Sequence, residues 1–321
     1  MDMQEMICGF TGGGVRALFR KMAAARLETV QEIRLRCDLP LMVRRQDGEW
    51  FVNAEGVLVS HEAAAYRTTA RDIAATVEMI SEHSLYAFEE EVRQGYITLP
   101  GGHRVGIVGR AVVENGDVRT LRSISGLHIR VAHAVQGCAG AVMPLIAPNG
   151  GAVAHTMILS PPGCGKTTLL RDVIRQLSNG SGGRGGVTVG VVDERSEIAG
   201  TYRGKAQNDV GIRTDVLDGC PKARGMLMLL RAMSPQVIAV DELGRREELD
   251  AIEDILNAGV RLVCTVHGQS LEEIARRPVL RELLDKRMFT RFIVLDRQPA
   301  AGHVAGVFDE NGRRLDGGAA V

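Results

Sequence analysis

"MILSPPGCGKTTLL", residues 157–170, lies near the middle of a chain of 321 residues. It reads as an apolar strand, a tight loop and the first turn of a helix. The loop ends in Gly165-Lys166-Thr167, the close of the phosphate-binding pattern G-x-x-x-x-G-K-[ST], whose first glycine is here Ser160. In such a loop the backbone N–H groups point inward at a phosphate, helped by the N-terminus of the following helix. Gly163 and Gly165 stand nearest the phosphate and allow the unusual dihedrals and close approach. The first position only starts the turn, so a serine is compatible with it if Pro161 and Pro162 shape the entry. The expected binding set for ATP is Ser160, Pro161, Pro162, Gly163, Cys164, Gly165, Lys166, Thr167 and Thr168. Lys166 is expected to reach the β- and γ-phosphates, and the Thr167 hydroxyl to bind Mg2+.

A phosphate loop alone hydrolyses nothing. An apolar strand ending in acids is the second requirement, and "VIAVDE" (237–242) supplies it. Asp241 is placed to hold the water shell of Mg2+, and Glu242 to orient or deprotonate the attacking water. Two further strand ends carry polar residues. "VGVVDERSEIAG" (189–200) brings Asp193, Glu194, Arg195 and Glu197, and "RLVCTVHG" (261–268) brings Thr265 and His267. In an open parallel sheet, ligands bind outside the carboxyl ends of the strands. Four strands therefore deliver polar groups to one edge, which favours a γ-phosphate-sensing His267 over a purely structural histidine. Glu194 and Glu197 are the alternative bases.

Around this edge the second half has a βα rhythm. Val- and Ile-rich runs at "VAHTMILS", "VTVGVVD", "VIAVD" and "RLVCTVH" alternate with helical stretches, as in a parallel sheet covered on both faces. "RFIVLD" and "HVAGVFD" read as a terminal hairpin, and the glycine-rich "SNGSGGRGG" (178–186) as a surface loop. The first half mixes shorter elements. "MAAARLETVQEIRLRC" starts helical and ends as a strand; "LPLMVRR" and "EWFVNAEGVLV" alternate like strands about a "QDGE" turn. Ile73, Val77, Ile80, Leu85, Phe88 and Val92 have helical spacing over 69–95, and "GYITLPGGHRVGIVGRAVVENGDVRTL" reads as hairpins. The expected class is α/β: a smaller α+β domain over 1–136, a linker over 137–151, and a RecA-like phosphate-loop ATPase domain over 152–321.

Composition narrows the function classes. Charge is balanced at 39 basic and 39 acidic residues, and neither half is basic, so nonspecific wrapping of nucleic acid is not expected. Only five basic residues are lysines, and one of them is Lys166. Six scattered cysteines without a C-x-x-C pair argue against a zinc site or a disulfide framework and fit a reducing compartment. No leader pattern opens the chain, and no apolar run nears the roughly 18 residues of a membrane span. The expected location is cytoplasmic, peripheral to a membrane only through partners.

The strand-end motifs resemble those of type II and type IV secretion ATPases. Asp241 departs from the glycine common there, and Gly244 from an arginine, with Arg245 and Arg246 following. "EIRLRCDLPLMV", "GYITLPGGHRVGIVGRAV", "SPPGCGKTTLLRD", "VVDERSEIAG" and "DVLDGCPKARGMLMLLRAMSPQVIAVDELG" look more closely like the stage III sporulation protein AA family, across nearly the whole chain. That resemblance implies an ATPase of the mother cell in endospore formation. It also implies a homo-oligomeric ring, a hexamer, beneath membrane-embedded partners of a mother-cell-to-forespore channel. Glu197 sits where the secretion ATPases place a catalytic glutamate. Arginines of their N-terminal domain reach the nucleotide, which points to Arg104 and Arg130, with Arg110 and Arg122 nearby and Arg203 and Arg213 as rivals. Solvated strand-face arginines are the plain alternative. A nucleic-acid-acting ATPase is the rival function, since it shares this core; scarce aromatics count against it.

Overall fold

The computed structural model describes residues 2–45, 47–81, 95–114, 116–133, 135–297 and 302–316. The chain divides into two compact units, Met1–His133 and Ala134–Val321.

The first unit opens with helices α1 (Met3–Phe10), α2 (Gly13–Lys21) and α3 (Ala24–Leu27). Strands β1 (Val30–Arg36), β2 (Met42–Arg45), β3 (Gly48–Val52) and β4 (Leu58–Val59) follow, then helix α4 (Ala70–Ile80). Strands β5 (Tyr96–Leu99), β6 (His103–Glu114) and β7 (Asp117–Arg130) close it. A Thr69–Asp72 capping box starts α4. The helical spacing at Leu85, Phe88 and Val92 lies outside the described residues. The seven strands form one antiparallel sheet in the order β4-β3-β2-β1-β7-β6-β5. Strand alternation sorts its faces: Ile33, Leu35, Ile97, Val105 and Ile129 are buried, while Glu32, Arg34, Arg104 and Arg130 are not.

The second unit begins with residues that composition marked as a linker. They pack into its core instead: helix α5 (Met143–Ile146) forms there, and Ala139, Val142, Met143 and Ile146 are buried. The Ala139 N–H donates to the Asp172 carboxylate at 2.8 Å, which ties this segment to the helix after the phosphate loop. Small residues and prolines read as a linker only until a neighbour offers them a surface.

Beyond it run β8 (Thr156–Ser160), α6 (Lys166–Asn179), β9 (Val189–Asp193), β10 (Thr214–Asp218), α7 (Lys222–Met233) and β11 (Val237–Val240). Then come α8 (Glu247–Asn257), β12 (Arg261–His267), α9 (Leu271–Ile274), α10 (Pro278–Asp285), β13 (Arg291–Asp296) and β14 (His303–Asp309). The sheet order is β10-β9-β11-β12-β8-β13-β14, parallel except for the β13–β14 hairpin. Every residue of β8, β9 and β11 is buried, because helices cover both faces. Ile158, Val191, Ala239 and Val263 join Leu169, Val173 and Leu177 of α6 on one face. Met157, Leu159, Val192, Ile238 and Val240 join Leu229 of α7 and Ile252 and Ile255 of α8 on the other. Each such leucine, isoleucine or valine contributes about 1.5–3 kcal/mol on burial. The strand β10 carries no Val/Ile run, and the sequence reading passed over it: as an edge strand it is partly exposed throughout.

Candidate functional site

The phosphate loop joins β8 to α6. Ser160 ends the strand, fully buried, and its hydroxyl donates to the Pro161 carbonyl at 2.9 Å. The left-handed positions fall on the glycines: φ is 73° at Gly163 and 83° at Gly165, and Gly165 caps the helix. The Arg297 guanidinium, just past β13, donates to the Pro162 carbonyl at 2.6 Å. Lys166, Thr167 and Thr168 form the first turn of α6.

Because β11 lies two places from β8 with β12 between them, the acids at its end meet the loop. Lys166 Nζ is 2.6 Å from Glu242 Oε1, and Thr167 Oγ1 donates to Asp241 Oδ2 at 2.6 Å. From β12, His267 Nε2 lies 2.9 Å from Glu242 Oε1. Thr265 Oγ1 donates to Asp241 Oδ1 and accepts from the Glu242 N–H at 2.9 Å. The Nδ1 of His267 is buried and has no hydrogen-bond partner. From the loop after β9, the Arg195 guanidinium donates to Glu242 Oε2 at 3.0 Å. Burial works against the Glu242 charge, but Lys166 foremost, then His267 and Arg195, hold its carboxyl below the usual glutamate range. Glu242 also has φ = 56°, an unfavourable backbone for a residue with a Cβ, of the kind that clusters at functional sites.

The loop carrying Glu194, Arg195 and Glu197 is held from beneath. The Asp193 carboxylate accepts the N–H groups of Glu197, Ile198 and Ala199 at 2.8, 3.0 and 2.8 Å. Burial nonetheless pushes the Asp193 carboxyl up to about 6. Arg171 of α6 donates to the Ile198 and Glu197 carbonyls at 2.6 and 2.8 Å. Lys222, at the start of α7 and only 8% exposed, completes the network. Its ammonium is 2.9 Å from the Glu242 carbonyl, 3.0 Å from Glu194 Oε2 and 3.6 Å from Glu248 Oε1.

Thus Glu242, Asp241, Thr167, Lys166 and His267 share one cluster, and Glu194 and Glu197 line the adjoining cleft. Arg104 and Arg130 lie in the first unit, directly opposite each other on β6 and β7. The Arg104 guanidinium stacks 3.6 Å from the Tyr96 ring centroid. Arg110 and Arg122 form a second cross-strand pair. Of the rivals, Arg203 is exposed beside Tyr202. Arg213 does not face the loop of its own chain: it donates to the Ser178 carbonyl at 3.0 Å, at the far end of a helix about 20 Å long. Lys222 and Arg171 escaped the sequence reading altogether.

Among the described residues, no group of three or more His, Cys, Asp or Glu side chains could hold a metal by itself. The Thr167 hydroxyl and Asp241 carboxylate are hard oxygen donors beside a phosphate-type loop. That set suits Mg2+, which takes one or two protein oxygens and fills its shell with phosphate and water.

The family model described as "Sporulation stage III, protein AA" matches residues 1–315. The chain belongs to that family. It is 40% identical over 286 residues to Stage III sporulation protein AA of Bacillus subtilis (strain 168), covering 89% of each chain. Among solved structures, it is similar to the ATPase DotB of Legionella pneumophila, with a TM-score of 0.55 and 15% identity. That match covers 91% of this chain and 76% of DotB. It is also similar to the pilus retraction motor PilT with bound ADP, with a TM-score of 0.54 and 15% identity over 91% of this chain and 77% of PilT. These likenesses establish the fold, which the chain shares with DotB and PilT. Among the described residues, no helix of this family member is long and apolar enough to cross a membrane.

Proposed function

We propose that the protein is an ATP-hydrolysing motor of a secretion-like or channel apparatus in endospore formation, working as a homo-oligomeric ring. The observation that carries the reading is the 2.6 Å contact of Lys166 with Glu242, beside the 2.6 Å contact of Thr167 with Asp241. Two motifs 74 to 76 residues apart in sequence meet as a nucleotide-hydrolysing site requires. In this reading the loop N–H groups and Lys166 bind the β- and γ-phosphates of ATP. Thr167 holds Mg2+, and Asp241 orders its water shell; the ion supplies neutralisation of phosphate charge. Glu242 orients the attacking water and takes its proton, and His267, beside that carboxylate, senses the γ-phosphate. Glu242 is preferred to Glu194 as the base because its partner is Lys166 of the phosphate loop, which ATP would draw away, whereas Glu194 pairs with Lys222 outside that loop. Glu197, across the cleft, is the second candidate. Arg104 and Arg130 complete the site of a neighbouring copy, where a guanidinium would stabilise charge on the transferred phosphoryl group. The relative's name, the fold likeness and the family membership support this setting.

The test is phosphate release from ATP and Mg2+ by the full chain and by Glu242→Gln. The wild type is expected to turn over, and the variant to bind ATP with turnover cut to a small residual rate. Retained turnover in Glu242→Gln would move the base to Glu197. Absence of turnover in the wild type would refute the ATPase reading, whether or not ATP binds.

A further inference from the structure

Glu242 receives Lys166 and His267 on Oε1, and Arg195 on Oε2. The two sets come from opposite sides of β11: Arg195 follows β9, whereas Lys166 and His267 come from the β8 and β12 side. A phosphate arriving at the loop competes for Lys166, because that lysine is also the loop's own cation. Once Lys166 turns to phosphate, the carboxylate loses its shortest contact, on the oxygen that faces the reaction. Arg195 is on the other oxygen and makes no claim on that space.

The loop that presents Arg195 has several anchors that do not involve the Glu242 carboxylate. Asp193 gathers three of its N–H groups, Arg171 holds two of its carbonyls, and Ser196 Oγ donates to Asp218 Oδ1 at 2.7 Å. Ser196 itself has φ = 52°. Surface ion pairs as exposed as Arg195 contribute little to stability. A strained, multiply anchored loop is more than such a pair needs, and is what a fixed reference point for another side chain requires.

We propose that Arg195 is a positioning residue: it keeps the Glu242 carboxylate in place and aimed when Lys166 transfers to the phosphates. This rests on the ATPase reading above. Its consequence is a division of labour on one carboxylate, with Oε2 anchored by Arg195 and Oε1, relieved of Lys166 and beside His267 alone, open to the attacking water.

The experiment uses full-length Arg195→Ala, Arg195→Gln and Arg195→Lys, with ATP affinity from a fluorescent analogue and kcat and KM from phosphate release. Arg195→Ala and Arg195→Gln should lower kcat by about 10- to 100-fold and change affinity by less than about 2-fold. Arg195→Lys should recover part of the loss, because an ammonium can still hold Oε2. On a Glu242→Gln background, Arg195→Ala should add nothing further, since it acts through Glu242. Additive losses would place Arg195 on the phosphate itself and overturn the proposal, as would a kcat within about 2-fold of wild type in Arg195→Ala. Amide hydrogen exchange over residues 193–200 in each variant separates a disrupted loop from a lost contact, and a loss of kcat confined to variants with a disrupted loop also overturns it. Absence of wild-type turnover refutes the ATPase reading, and this inference with it; normal wild-type turnover with an unaffected Arg195→Ala refutes this inference alone.

Discussion

Replacing Lys222 by Met tests whether the site's charge network also holds the second unit together. The substitution keeps an apolar stem of similar length and removes the ammonium. It leaves the Glu242 carbonyl without its 2.9 Å donor, and Glu194 and Glu248 facing the vacated position as two unpaired acids. Breaking a buried ion pair by deleting one partner costs about 3–5 kcal/mol. The value here belongs at the low end for two reasons. Glu248 keeps the N–H groups of Gly244 and Arg245 at 2.7 and 3.0 Å, and the Glu194 side chain retains 20% exposure to water. A loss of about 3 kcal/mol is a large part of a typical total of about 5–15. With a urea slope of about 2 kcal/mol per molar, the midpoint should fall by about 1.5 M. Far-UV circular dichroism is the right assay, because the single tryptophan, Trp50, lies in the first unit and does not report on this site. Adding Glu248→Gln should recover part of the loss by removing one of the stranded charges. A midpoint shift under about 0.3 M in Lys222→Met would refute the reasoning. A full shift with no recovery in the double variant would assign the cost to the stem's packing instead.

Lys166→Ala should abolish measurable ATP binding by equilibrium titration, and wild-type affinity in it would remove the phosphate loop from the site. Arg104→Ala and Arg130→Ala should each lower turnover without comparable loss of ATP binding, by on the order of 10³-fold if either acts as an arginine finger. Mixing them with Glu242→Gln chains should restore activity if they act across a subunit boundary, and confirmed mixed assemblies without recovery would exclude that geometry. His103 carries a pH prediction. Burial lowers its pKa to about 4, and its Nδ1 accepts the Ala132 N–H at 2.9 Å. The unfolded imidazole takes a proton near 6.5 and the folded one only near 4, so its contribution is complete above about 6.5 and is lost as pH falls towards 4. Unfolding free energy should drop by up to about 3 kcal/mol across that window. His103→Asn, which retains an acceptor for Ala132, should flatten the drop, and an unchanged pH profile would contradict the assignment.

What the sequence disclosed and what it hid differ in physical kind. The phosphate loop was legible because its backbone demands glycine at Gly163 and Gly165, where φ is 73° and 83°. The βα order was legible because a strand buried on both faces must be apolar along its length, as "VIAV" is in β11. The position of Glu242 at φ = 56° gave no such sign, since nothing in a glutamate announces a left-handed backbone. Lys222 opens α7 like any lysine near a helix start. Its role depends on where that helix lands, which no local pattern encodes. The sequence also names residue types without saying which atoms they share. Lys166 and Glu242 could be inferred separately, one for phosphate and one for water, but their 2.6 Å contact links the two duties. On the proposed reading, phosphate displaces the Glu242 carboxylate from Lys166, and Oε1 then keeps only His267 of its two partners. On that reading, binding and readiness of the base become one event, because the cation that holds the Glu242 carboxylate is the one the phosphates take.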